Sequence, residues 1–221
     1  MTAYGPLGRL GAWTAGHFKL VLLTWIAIAR LAAPRVVLDA AVSFAAGALG
    51  VLPVLIAVEQ LDAGEAFAGL LGAGAGAGAL MGGVAAGSLI NRDRPWGLAG
   101  GVVAASVALG LLALTTAPII AIGASALACA SLVMLDTLNV TALQRSLPQA
   151  CHGRAFGLLN TSAASWLMAG SAVPPILVAL VGVEAAVALT GLVVLVLGTG
   201  SLIGGPSRHR ERVLAAKPSI A

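Results

Sequence analysis

Charge is what this sequence has least of. Asp, Glu, Lys and Arg together make up 9% of its 221 residues, where a soluble domain carries roughly a quarter. So few charges cannot clothe a water-facing surface, which excludes an ordinary soluble domain. Cysteine is nearly absent too. Cys129 and Cys151 are too few for a disulfide framework or a thiolate metal site, and both read as free thiols. His17, His152 and His209 are scattered along the chain, and His152 beside Cys151 has no third partner to make a nucleophile and base or a metal site. No serine lies in a GxSxG, and no HExxH or GxxxxGKS occurs. These absences exclude the common hydrolase, zinc-protease and phosphate-loop chemistries. Neither an enzyme nor a cofactor is expected. Aromatics are 4% of the chain and do not interleave with basic residues, so the net charge of +4 does not mark a nucleic-acid surface.

Apolar residues fill the space left by these absences. The chain is 59% hydrophobic, with a mean hydropathy of +1.02. Its apolar runs are long and continuous rather than alternating ten-residue segments, which favours helices over a barrel. Six of these runs are long enough to cross a bilayer. They lie at about Val36–Val58, Ala66–Ile90, Trp96–Thr115, Pro118–Leu143, Ala155–Val181 and Val183–Gly205. The connections orient them. Arg92 and Arg94, Arg145 and Arg154, and the tail with Arg208, Arg210, Arg212 and Lys217 alternate with three loops that hold no Lys or Arg. By the positive-inside rule, Val36 starts inside and both termini are expected in the cytoplasm, in a multi-pass protein of the cell membrane.

The composition divides the chain into residues 1–34, 35–205 and 206–221. Residues 1–34 form a basic, amphipathic segment whose apolar run, Leu20–Ala29, is shorter than the ~20 residues a span needs. The segment predicts a helix lying at the cytoplasmic interface, with Trp13, Phe18 and Trp25 in the headgroup layer; a short seventh span is the alternative. A cleaved signal peptide is not expected. The tail from Pro206 is polar and basic and predicts disorder. The fold class is therefore all-α integral membrane: a six-transmembrane-helix bundle with an N-terminal interfacial helix.

Glycine marks the second span. In LLGAGAGAGALMGGVAAGSLI, Gly74, Gly78 and Gly82 recur every four residues on one face. In water so many glycines oppose a helix. In a bilayer the backbone must satisfy its own hydrogen bonds, so helix is nearly forced. The small face then lets a neighbouring helix approach closely.

A few polar residues stand inside apolar runs. Asp136 lies in the inner part of the fourth span, where a carboxylate costs a few kcal/mol on insertion scales and should face a cavity or a partner. Asn139 shares its face. The pair predicts a proton or cation site or a polar contact to substrate, or else an ion pair near the inner surface with Arg145 or Arg154. Asn160, early in the fifth span, predicts a cavity-facing or interhelical amide. Asp39 stands at the start of the first span and predicts an interfacial carboxylate, solvated or paired with Arg35. Pro174 and Pro175 predict a bend in the fifth span.

Two stretches resemble the C-terminal half of major facilitator superfamily transporters, closest to exporter-like members. One is GAGAGAGALMGGVAAGSLINRDR, a glycine-rich helix ending in the basic loop Asn91, Arg92, Asp93 and Arg94, which matches part of that family's loop motif. The other is LDTLNVTALQRSLPQACHGRAFGLLNT, with Gln144, Arg145, Pro148, Gly153, Arg154, Phe156 and Gly157 in the corresponding later connection. The resemblance covers about Ala33 to Gly205. LGRLGAWTAGHFKLVLLTWIAIA is weakly similar to the start of the large lipid exporters of the resistance-nodulation-division type. The main resemblance implies six helices of a twelve-helix machine whose two halves rock about a midplane site. It implies transport of a small molecule, by efflux and driven by protons. The second half would come from another copy of the chain or a partner subunit. The alternative expectation is a truncated or accessory membrane protein without transport of its own. The bilayer is the one other partner, and no nucleic acid is expected.

Overall fold

The computed structural model describes the backbone of residues 18–90, 96–146 and 152–203. Side chains are described within these segments from Pro34 onward, apart from those of Ser146, His152 and Arg154. Residues 1–17 of the expected interfacial segment therefore fall outside the described residues, as do the loop residues Asn91, Arg92, Asp93 and Arg94.

Six helices follow one another with short connections: α1 (Phe18–Leu55), α2 (Glu65–Ile90), α3 (Trp96–Leu114), α4 (Pro118–Ser146), α5 (His152–Val181) and α6 (Val183–Ile203). A π-helical turn, Ile56–Gln60, closes α1. All six are long and apolar enough to cross a membrane. No strand occurs among the described residues. The chain is an all-α membrane bundle, and the expected spans match it to within a few residues. The exception is the start of α1, whose backbone is helical from Phe18, continuous with the first span through Pro34. The helix α5 runs on through Pro174 and Pro175 without a break.

The bundle is organised by close backbone contact. A methyl group on Gly78 would collide with the backbone of Ala126, one on Gly82 with that of Ala130, and one on Gly74 with Ile122. Each of these three glycines thus meets the α4 residue forty-eight positions later, so α2 and α4 run parallel in constant register. Glycine removes the side chains that would hold the axes apart, and dispersion between the two backbones takes their place. The Ser125 hydroxyl adds a buried hydrogen bond to the Leu71 carbonyl, 3.2 Å across the same seam.

The seam has a counterpart. Gly170 of α5 sits on the backbone of Phe44 in α1, and Gly47 sits on that of Leu167. Phe44 and Trp166 stack edge to face beside it, with centroids 6.5 Å apart. So α2 lies on α4 as α5 lies on α1. Two further pairings fit the same exchange: α3 packs on α4 as α6 packs on α1, and α3 and α6 pack on each other. The bundle is two three-helix units, α1–α3 and α4–α6, in matching relation. An odd number of helices per unit starts the second from the opposite side, which makes the repeat an inverted one.

Turn chemistry sets the end of the bundle where α1, α3 and α5 stop. Gly182 alone joins α5 to α6 and has φ +87°, a left-handed conformation that glycine adopts without steric cost. Its N–H donates to the Val178 carbonyl at 2.9 Å. At the same end of the bundle, the Gln60 amide donates to the carbonyls of Leu112 (3.0 Å), Ala113 (3.1 Å) and Thr115 (2.9 Å). It satisfies carbonyls that the end of α3 leaves without helical partners. Replacing Gln60 by leucine should lower bundle stability by about 1–3 kcal/mol. Thermal unfolding in detergent checks this, and an unchanged midpoint would contradict it.

Candidate functional site

Arg35, Asp39, Asp136 and Asn139 gather at one crossing. Helices α1 and α4 run in opposite directions, and the Asn139 amide donates to the Arg35 carbonyl at 2.9 Å. That bond sets the register. One helical turn further along α1 stands Asp39, and one turn back along α4 stands Asp136, so the two carboxylates come level. They interact electrostatically across the crossing.

Sequence position suggested that Asp39 would lie in the interface. The structure places it inside, 4% exposed. The reason is non-local: α4, α5 and α6 all pack on α1. No ion pair to Arg35 forms. Arg35 Nη1, Asp39 Oδ2 and Asn139 Oδ1 are each buried without a hydrogen-bond partner among the described residues. Asn139 itself is 1% exposed.

Asp136 differs from Asn139, although the two share a helical face. It is exposed within the bundle, and its carboxylate lines a groove of about 290 Å³ between three helices. Helix α1 contributes Val42, Ser43 and Ala46; α4 contributes Leu132 and Val133 beside Asp136; α5 contributes Ala163, Ala164 and Leu167. Apart from Asp136, the only polar side chain in the lining is Ser43. No cation pairs with Asp136 among the described residues. Arg145, one expected partner, points elsewhere: its guanidinium donates to the Ile90 carbonyl at 3.2 Å, capping the end of α2.

Asn160 is exposed on α5. It lies three and four residues before Ala163 and Ala164, on the same face, so it extends the α5 wall of the groove one turn inward. The contact of Gly47 with Leu167 and Gly170 brings that turn close to the level of Asp39. The three polar candidates thus have separate positions. Asp136 is in the groove, Asn160 is at its inner edge, and Asn139 is behind it as a buried tie between α1 and α4. Gln144 is exposed at the C-terminal end of α4, and Gly153 is exposed at the start of α5.

Sequence reasoning missed Asp39 as a member of this cluster, and Gln60 as a tie between the ends of α1 and α3. Asp39 carried a signal: it is four residues after Arg35, and both carry charge within an apolar helix. Cys129 is a free thiol, half-buried in α4. Among the described residues no group of three His, Cys, Asp or Glu side chains could hold a metal.

The tie makes a separate prediction. Asn139→Ala removes one interhelical hydrogen bond and leaves a small void, and it should cost about 1–2 kcal/mol. Unfolding in detergent measures it; a variant as stable as the parent would show that the bond contributes nothing. No family model, no curated protein and no solved structure matches the chain, and what the groove does has to be read from its own residues.

Proposed function

We propose that the chain is one half of a small-molecule transporter of the major facilitator type, an exporter driven by protons, in the cell membrane with both termini in the cytoplasm. The observation that carries this reading is the groove at the crossing of α1, α4 and α5, lined by apolar side chains, Ser43 and the Asp136 carboxylate, which pairs with no cation among the described residues. An intramembrane carboxylate without a structural partner costs free energy, which function must offset. The inverted pair of three-helix units supports the same reading, because such repeats place a binding site where they meet and let one unit rock against another.

The distribution of burial supports a missing second half. The apolar windows of α2 and α5 are only 17% and 11% buried, against 39–56% for the other four helices. These are also the two helices that correspond under the repeat. A second six-helix unit, from another copy or a partner subunit, would cover both and close the groove.

The test is reconstitution into proteoliposomes with an imposed pH gradient and a panel of small solutes. Solute movement that depends on the gradient is the expected result. A panel that yields no gradient-dependent movement, from protein that is folded and inserted, would favour an accessory role instead.

A further inference from the structure

We propose that the crossing of α1 and α4 binds a resident water molecule, held between Arg35, Asp39 and Asn139 and separate from the groove. The water ties the two three-helix units together at their buried charges, whether or not the chain moves a solute.

Buried polar atoms in proteins nearly always find a partner, in the protein or in ordered water. Four side-chain atoms lack a protein partner among the described residues, and three of them belong to this crossing: Arg35 Nη1, Asp39 Oδ2 and Asn139 Oδ1. Asp39 and Asn139 are both buried, so bulk solvent serves neither. Helix geometry brings their side chains together. In α1 the Asp39 N–H donates to the Arg35 carbonyl as part of the helical ladder. The Asn139 amide donates to that same carbonyl at 2.9 Å, so Asn139 lies against the backbone of Asp39. The bond also fixes which way the amide faces. Turned over, it would set oxygen against oxygen, so Oδ1 is the atom directed away from the carbonyl. Arg35 stands one turn from Asp39 on α1, a spacing at which side chains are neighbours, yet Nη1 and Oδ2 do not pair.

The three atoms select their ligand. Two accept hydrogen bonds and one donates. Water donates two and accepts in return, so a single molecule matches all three, the usual number of bonds for a buried water. A metal cation would meet the guanidinium, and an anion would meet the carboxylate and the amide oxygen. An alcohol has one hydrogen to donate and leaves one oxygen unmatched. The surroundings keep the molecule in place. One turn beyond Asn139, the buried Leu143 and Leu159 pack with Val36, Val140 and Phe156, an apolar plug on the side where the span of α1 begins. The water thus connects Arg35 to Asp39 at one remove, and both to α4.

A crystallographic map of the full-length protein in lipid, at a resolution that shows ordered water, tests this directly. One density peak within hydrogen-bonding distance of at least two of the three atoms is expected. Arg35 paired directly with Asp39, a peak with the short oxygen distances of a metal ion, or no peak at all would overturn the proposal. Radiolytic labelling in isotopically marked water tests it in solution, because hydroxyl radicals made from an internal water attack the apolar side chains beside it. Leu143 should take up label, while Val194, equally buried in the middle of α6, should not. Asp39→Leu combined with Asn139→Leu fills the site with apolar side chains, and the label at Leu143 should be lost. Equal labelling of Leu143 and Val194, or label at Leu143 that survives in the double variant, would also overturn it.

Discussion

Gly78→Ala should destabilise the bundle by about 3 kcal/mol, while Gly76→Ala, two residues away, should change it by less than about 0.5 kcal/mol. The same substitution has opposite prospects because the two glycines face different neighbours. A methyl group on Gly78 is driven into the backbone of Ala126, whereas one on Gly76 meets nothing within 4 Å. Backbone cannot rotate aside as a side chain does, so α2 and α4 would have to separate along the seam. Separation would also strain the contact at Gly82 and the Ser125–Leu71 hydrogen bond. At Gly76 the methyl group only improves helix propensity, worth up to about 1 kcal/mol in water and less where the bilayer already enforces helix. Reversible unfolding in mixed micelles compares the two. Equal stabilities would mean that the seam does not hold the bundle together. The mirrored seam predicts the same contrast for Gly170→Ala, whose methyl group meets the backbone of Phe44.

Much of this architecture is written locally in the chain. The six spans follow from hydropathy, since a helix must be apolar all round to sit in lipid. The face of α2 follows from the four-residue spacing of Gly74, Gly78 and Gly82, because spacing alone puts them on one side. What that face meets is not local. Ile122, Ala126 and Ala130 of α4 carry no signal that sets them apart from other small residues in an apolar run. The α1–α5 seam was harder still, because it rests on one glycine from each helix, Gly47 and Gly170, with no repeat to draw attention to it. Asp39 shows the same limit at the site. Its position at the start of the first span suggested an interfacial carboxylate, solvated or paired with Arg35, and only the packing of other helices on α1 buries it. Asp136 was legible as a carboxylate within a span. Its separation from Asn139, one turn away on the same face, was not, since it depends on where the walls of α1 and α5 fall.

That separation makes the last prediction sharp. Asp136→Asn should reduce gradient-driven flux in proteoliposomes to the level of empty vesicles and leave the folded fraction unchanged. The amide has nearly the shape of the carboxylate, and in the groove it breaks no hydrogen bond to the rest of the protein among the described residues. What it removes is a group able to exchange a proton for another cation, and no other groove-lining side chain is ionisable. Asn139→Ala should behave in the opposite way, losing stability through its bond to the Arg35 carbonyl while the surviving folded protein still transports. Asn160→Ala, at the inner edge of the groove, should change apparent affinity more than maximal rate, since it can touch a solute without carrying charge. Full flux in Asp136→Asn would take the coupling role from the groove. The next candidate would then be Asp39, the other carboxylate at the crossing, whose buried and unpartnered oxygen could be reached only if α5 moves away from α1.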